Sequence, residues 1–233
     1  MQRMQGILLV DKPKEWTSFD VVNYVRRMVA ASEGKKPKNC KVGHTGTLDP
    51  LATGLLVLLV GKEYTRKATQ LTKLDKTYET TMKLGLTSTT GDEEGGKTAV
   101  SGIVPTQKAV LEALEKLQGQ IMQTPPAFSA KKINGQRAYD LARKGKEVEL
   151  EATPVVIHSN VLTEYQYPYV RFTSEVGSGT YIRSLVEDVG ELLGTGAYMS
   201  DLRRTRVGEF KLEDALVFGK ETTVEQVQAA LLS

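Results

Sequence analysis

Twelve residues in the first quarter of the chain, GHTGTLDPLATG at 43–54, do most to restrict what it can fold into. The segment is rich in Gly and Thr and is interrupted by Pro50, so it sustains neither a helical nor a strand period. It opens directly onto Leu55–Val60, an unbroken apolar run that reads as a buried strand. An irregular loop is thereby joined to the core at one end. Within it, Asp49 stands between Leu48 and Pro50.

Regular elements surround this loop. Gly6–Val10 is a short apolar run, a buried strand ending at Asp11-Lys12-Pro13. Thr17 and Ser18 suit the cap of a helix in which Phe19, Val22, Val25 and Val29 recur at helical spacing. Residues 32–39 read as an exposed loop. Tyr78, Thr80, Met82, Leu84 and Leu86 share one face of a strand, with Glu79, Thr81 and Lys83 on the other. Thr106 is placed to cap a helix that Gly119 would end. Asn134-Gly135 signals a turn, 155–162 and 169–176 read as strands, and 181–193 as an amphipathic helix. A helical pattern from 224 to 232 closes the chain. Strands and helices interspersed in this way indicate a mixed α/β or α+β sheet protein.

Composition removes several function classes. Cys40 is the only cysteine, so no intrachain disulfide forms, and no segment approaches the ~18 apolar residues of a membrane span. A cytoplasmic protein is expected. The two histidines, His44 and His158, belong to no ligand motif, and the run Asp92-Glu93-Glu94 lacks calcium-loop spacing and reads as a solvated turn. GHTGTLDPLATG lacks the Gly-Lys-Ser/Thr ending of a phosphate loop, and no G-x-S-x-G elbow is present. A carboxylate is what remains for chemistry, although position alone favours a turn or capping role for Asp49. The net charge of +3 is mild. Its distribution is not, because Lys131, Lys132, Arg137, Arg143, Lys144 and Lys146 are opposed only by Asp140 over that stretch.

GHTGTLDPLATGLL closely resembles the signature of the TruB family of pseudouridine synthases. The resemblance continues in order along nearly the whole chain. LVDKPKEWTS is similar to the family's first motif, KTYETTMKLG to its second-strand segment, and PPAFSAKKINGQRAYDLAR to its inserted subdomain, while GSGTYIRSLVEDVG and LRRTRVGEF complete the set. It implies the pseudouridine synthase fold, a mixed, mostly antiparallel central sheet flanked by helices with a basic inserted thumb at about 124–152. One catalytic domain over 1–233 is expected, without the RNA-binding PUA domain that many members carry at the C-terminus.

The implied activity is isomerisation of the T-loop uridine (uridine-55) of tRNA, in which the N-glycosidic bond is broken and the base is rejoined through carbon. No cofactor and no metal are implied. The partner is the T-arm stem-loop of tRNA, with no membrane and no obligate protein partner, and a monomer is the expected state. By resemblance Asp49 is the catalytic carboxylate and Arg183 its supporting cation, since a guanidinium would hold a carboxylate oriented and ionised. Tyr78 matches the tyrosine that stacks on the target base, Tyr181 and Leu202 match residues lining the uracil pocket, and His44 matches a histidine near the flipped nucleotide. Lys131, Lys132, Arg137, Arg143 and Lys144 of the thumb are the expected RNA-backbone contacts, and Arg203 and Arg204 are further candidates.

The chain departs from the family where Lys14-Glu15-Trp16 replaces a stretch that usually contains glycine, which implies a different turn at Glu15. Rival readings are a guide-RNA-dependent pseudouridine synthase, a non-catalytic tRNA-binding or folding protein, and a metal-dependent hydrolase using Asp49. The basic thumb speaks against the first, and the presence of Asp49, Tyr78 and Arg183 together against the second. The third lacks a second clustered ligand.

Overall fold

The structure is a computed structural model that describes residues 3–129, 131–133, 135–142, 148 and 150–232. In chain order it begins with β1 (Gly6–Lys12), α1 (Ser18–Glu33), β2 (Val42–His44) and β3 (Thr53–Val60). Two short helices, α2 (Lys62–Thr65) and α3 (Ala68–Thr72), precede β4 (Lys76–Leu84), β5 (Leu86–Ser88) and β6 (Lys97–Ala99). Then come α4 (Gln107–Lys116), β7 (Gly119–Gln123), β8 (Lys132–Ile133), β9 (Gln136–Arg137) and α5 (Ala138–Ala142). Two long strands, β10 (Thr153–Gln166) and β11 (Tyr169–Val176), lead to α6 (Ile182–Leu192) and β12 (Ala197–Val207). The chain closes with β13 (Phe210–Lys211), β14 (Leu216–Val217), α7 (Val224–Ala229) and β15 (Leu231–Leu232).

The chain divides into two compact units, residues 1–78 with 203–233, and residues 79–202. The first is built around β3, which pairs antiparallel with β1 from Gly54↔Lys12 to Val60↔Gly6 and antiparallel with β2 over Val42–His44. Seven of its eight residues are buried. A strand buried on both faces cannot alternate apolar with polar, which is why TGLLVLLV reads as a continuous apolar run. Leu9, Leu55, Val57 and Val207 form a core cluster here, with Leu74 and Phe210 packed against it.

Helix α1 belongs to this unit. Thr17 is its N-cap and forms a reciprocal capping box with Asp20, and Gly34, at φ +62°, ends it in the left-handed conformation. Val21, Val22, Val25, Met28 and Val29 make its buried face. Phe19, expected on that face, is instead 60 % exposed, with its ring 6.0 Å from the Arg26 guanidinium. In the first turn the inward position falls to Val21 and Val22, which leaves Phe19 outside the apolar stripe.

The second unit has the strand order β4-β11-β10-β7. β10 pairs antiparallel with β11, with irregularities at Ile157/Ser159 and Leu162/Glu164, and antiparallel with β7. Strand β4 alternates as its sequence requires, with Thr80, Met82 and Leu84 buried, while Leu86 begins the separate hairpin β5–β6. Thr106 caps α4 as expected. Gly119 does not end that helix, which stops at Lys116. It opens β7 instead. The Asn134-Gly135 signal falls between β8 and β9, paired at Lys132↔Arg137 and Ile133↔Gln136; Asn134 itself lies outside the described residues.

Candidate active site

Strand β2 ends at His44 and β3 begins at Thr53, so residues 45–52 form the loop that carries Asp49. A loop of this kind must find partners for its backbone groups outside regular structure. Here each of five consecutive carbonyls accepts a hydrogen bond. Arg204 donates to the Gly46 oxygen at 3.1 Å and to the Thr47 oxygen at 3.5 Å. Ser18 Oγ donates to the Leu48 oxygen at 3.0 Å and accepts from the Leu48 N–H at 2.8 Å. The Ala52 N–H closes a turn onto the Asp49 oxygen at 3.1 Å. The Pro50 oxygen accepts from the Glu15 N–H at 2.8 Å and from Lys12 Nζ at 3.2 Å. The half-buried Asp49 side chain is thus presented from a backbone held on both sides.

Three residues that sequence reasoning left out of the site perform this tethering. Ser18, expected to help cap α1, is 2 % exposed and binds both backbone groups of Leu48, while the cap belongs to Thr17 alone. Lys12 is fully buried, and its ammonium also reaches the Pro13 and Trp16 oxygens at 2.9 and 2.6 Å. Burial pulls its pKa down to about 8, and the negative charge of Asp49 works in the opposite direction. Glu15 has φ +70°, a left-handed conformation in which glycine would be unstrained, and this is the altered turn expected there. Its N–H reaches Pro50 because the chain turns this way.

Arg204 requires a correction. Expected as an RNA-backbone contact, it is 1 % exposed, and its Nε donates to the Leu55 oxygen at 2.7 Å in addition to its bonds to Gly46 and Thr47. A guanidinium spent on internal carbonyls is a structural clamp and not a phosphate ligand. Its Cζ lies 6.0 Å from the centre of the buried Tyr78 ring. Strand alternation was the available signal: neighbours on β12 point to opposite faces, so Arg203 and Arg204 cannot both face solvent. Arg203 remains partly exposed and pairs with Asp11 at 2.7 Å and with Thr53 Oγ1 at 3.1 Å. β12 runs parallel to β3 with Arg204 opposite Gly54. A Cβ at Gly54 would sit 2.3 Å from the Arg204 carbonyl oxygen and 2.7 Å from its nitrogen, so the two backbones approach this closely only because residue 54 is glycine.

His44 is half-buried at the end of β2. Burial and then the Arg204 charge hold its pKa below the ordinary histidine value. The Gly46 N–H donates to Nδ1 at 3.3 Å, which leaves the proton of the neutral ring on Nε2. A neutral ring beside a guanidinium is suited to stacking and carries no charge of its own. Lys76, its pKa also pulled down to about 8 by burial, donates to the Thr72 oxygen at 2.9 Å and to the Leu74 oxygen.

Tyr181, Arg183 and Leu202 belong to the second unit. Tyr181 is the N-cap of α6, and its backbone is gripped by the buried Gln123 amide, which accepts from the Tyr181 N–H at 2.8 Å and donates to its carbonyl at 3.1 Å. Arg183, 6 % exposed, donates to the Thr90 and Phe128 oxygens at 3.1 and 2.9 Å and lies 3.9 Å from Asp92. Asp92 is 5 % exposed, so the acidic run is not wholly a solvated turn: Glu93 and Glu94 are exposed, and Asp92 faces inward. Leu202 is buried on β12. Among the thumb cations, Lys131 Nζ reaches the Glu151 oxygen at 3.5 Å, and Lys132 and Arg137 stand on the β8–β9 pair. Arg143 and Lys144 lie outside the described residues.

Among the described residues no group of His, Cys, Asp and Glu is placed to hold a metal ion, and no helix is long and apolar enough to cross a membrane. Comparison with known proteins is concordant along the chain. Residues 34–182 match the TruB family pseudouridylate synthase N-terminal domain, and residues 183–233 match the tRNA pseudouridylate synthase B C-terminal domain. The chain is 43 % identical over 229 residues to the tRNA pseudouridine synthase B of Protochlamydia amoebophila, covering 98 % of this chain and 84 % of that one. It is 44 % identical over 214 residues to the protein of the same name from Phocaeicola vulgatus, covering 90 % and 88 %. Among solved structures it resembles a chain of a Cbf5-Nop10-Gar1 complex, with TM-score 0.69 and 29 % identity over 91 % of this chain and 52 % of the other. A chain of the archaeal box H/ACA Nop10-Cbf5 complex gives TM-score 0.66 and 25 % identity over 97 % and 58 %. This chain therefore spans little more than half the length of those two.

Proposed function

This chain belongs to the TruB family of pseudouridylate synthases, and from that premise we infer that it is a tRNA pseudouridine synthase acting on the T-loop uridine, position 55. In that isomerisation the bond from the sugar to N1 of uracil breaks, a bond from the sugar to C5 forms, and the C5 proton is replaced by one on N1. Nothing is oxidised and no group is added.

Support for an active enzyme comes chiefly from the loop around Asp49, whose carbonyls from Gly46 to Pro50 are all tethered. A carboxylate serves as nucleophile or base only while ionised and correctly aimed. The tether supplies the aim, and the nearby Lys12 ammonium favours the charged form. We assign Asp49 as the catalytic carboxylate and Arg183 as its supporting cation. Tyr78, Tyr181, Leu202 and the neutral ring of His44 are assigned to the extruded nucleotide. An aromatic face contributes roughly 1–3 kcal/mol of stacking per base, which offsets part of the cost of extrusion. Lys131, Lys132, Arg137, Arg143, Lys144 and Arg203 are assigned to RNA phosphates. Arg204 is withdrawn from that set.

A guide-dependent enzyme is the less favoured reading. Identity to the tRNA pseudouridine synthases is 39–44 % with at least 84 % of their length covered, against 25–29 % and 52–58 % for the Cbf5 chains. The test is pseudouridine formation in an unmodified tRNA transcript, with no guide RNA and no added metal, for wild type and Asp49→Asn. Wild type is expected to convert the T-loop uridine, and the variant to bind tRNA without converting it. Binding without conversion by both proteins would reduce the chain to a tRNA-binding protein.

A further inference from the structure

One basic segment has no part in the site described so far. Gly34–Lys41, GKKPKNCK, carries Lys35, Lys36, Lys38 and Lys41 and no acid. It follows the left-handed cap of α1, makes a single 3-10 turn at Pro37–Asn39, and is anchored by the buried Cys40, while all four lysines stay exposed. The Gly61 N–H donates to the Lys41 oxygen at 2.8 Å. That bond sets the start of α2, with Lys62 in its first turn and Arg66 just past its end, alongside the lysine loop.

Between these elements is a cleft of about 360 Å³ lined by Arg26, Lys38, Cys40, Lys41, Val42, Gly43 and Thr65. Three of the lining side chains are cationic and none is acidic. Arg26 forms a fixed wall, donating to Asn23 Oδ1 at 2.7 Å and to the Val42 oxygen at 3.1 Å. Of the nearby acids, Glu33 is held by Lys35 at 2.6 Å and by the Met4 N–H at 3.0 Å, and Glu63 stands on α2. Among the described residues no hydrogen bond or ion pair engages the Lys38 or Lys41 side chain. An ordinary solvated surface intersperses both signs of charge. This one gathers a single sign from three separate stretches of sequence.

Its position identifies the partner. Gly43, in the lining of the cleft, is the residue before His44, and Lys41 precedes His44 by three residues of extended chain, about 10 Å. A strand whose base occupies the site around His44 and Asp49 would carry its phosphates to within reach of the cleft. We propose that this cleft is an additional RNA-backbone contact surface, distinct in sequence from the 124–152 segment, that holds phosphates of the substrate strand. The proposal rests on the RNA-modifying function inferred above. A small anion would need one of these cations, whereas a phosphodiester chain can use Arg26, Lys38 and Lys41 together.

The test is tRNA binding across a series of salt concentrations for Lys38→Gln/Lys41→Gln, beside the equally discharged control Lys108→Gln/Lys116→Gln on α4. All four positions are exposed, so folding is preserved. Loss of two phosphate contacts lowers the slope of log K against log salt by about 1.5 and raises Kd roughly tenfold at moderate salt. The control pair is expected to keep the wild-type slope. Equal changes in both pairs, or none in either, overturn the cleft as a specific contact. Wild-type conversion of uridine is scored separately. A slope confined to the cleft pair without conversion keeps the surface and removes the enzyme, and conversion with equal slopes does the reverse. Wild type that binds no tRNA removes both.

Discussion

Replacing Arg204 by Met deletes the clamp on the Asp49 loop while keeping most of the side-chain volume. Two strong donors are lost, those to Leu55 at 2.7 Å and Gly46 at 3.1 Å, whereas the 3.5 Å approach to Thr47 counts for little. Hydrogen bonds to a charged group contribute about 1.5–3 kcal/mol each, so the gross loss is roughly 3–6 kcal/mol. Against it stands the removal of a buried cation that repels Lys12 and Lys76, whose pKa values it helps to lower. The net destabilisation is then roughly 2–4 kcal/mol, a fall in Tm of about 5–15 °C for a chain of this size. Urea or thermal unfolding reads that number. A second readout is independent of it. Arg204 is one of the two influences holding the His44 pKa down, so in the variant it rises toward the ordinary value but stops short because burial remains. NMR titration of the His44 ring in the two proteins reads that shift. An Arg204→Met protein within about 0.5 kcal/mol of wild type, with His44 unmoved, would refute the clamp.

Three other expectations follow from the same loop. Ser18→Ala leaves the buried N–H and carbonyl of Leu48 unpaired and is expected to cost about 2–4 kcal/mol; with substrate saturating, the turnover rate should fall more than KM rises, and a change in KM alone would place Ser18 outside the aiming of Asp49. Glu15→Gly relieves about 1–2 kcal/mol of left-handed strain and gives back about 0.5–1 in unfolded-state freedom, so the midpoint of denaturation should rise slightly; a loss above about 1 kcal/mol would show that the Glu15 side chain itself stabilises the turn. Burial holds Lys12 and Lys76 near 8, while the unfolded chain keeps 10.5, so between those values the unfolded state binds more protons and stability rises with pH, by at most about 1.4 kcal/mol per unit for each ammonium. Denaturant midpoints at pH 7.5 and 9.5 test this, with a flat or falling trend as the contrary result.

Local chemistry made much of the fold legible. The period of β4, the capping box of α1 and the continuous apolar run of β3 each follow from side chains a few residues apart. Asp49 as a candidate was legible only through the resemblance of its motif to the TruB signature, because its position alone favours a turn or capping role. Its tethers were not. Ser18 lies 30 residues from Leu48 in sequence, Lys12 lies 38 from Pro50, and Arg204 lies 158 from Gly46. Contacts over such separations leave no periodic trace. Lys12 was given no role and Arg204 was read as an RNA-backbone contact, because long cations seldom occupy interiors unless their donors are matched. Phe19 failed for the opposite reason, since spacing alone does not tell the first turn of a helix which flank faces solvent.

Gly46 and Gly54 bound the same loop but differ as sites of inheritance. A side chain at 46 would meet the ends of the Arg204 and Lys76 side chains at 3.5 and 3.6 Å, where ordinary contact suffices. At 54 the obstacle is the backbone of residue 204, which is common to all amino acids. No second mutation at 204 can therefore rescue a first one at 54. A change of residue is thus sterically open at one end of the loop, and at the other it is closed to every residue that carries a Cβ.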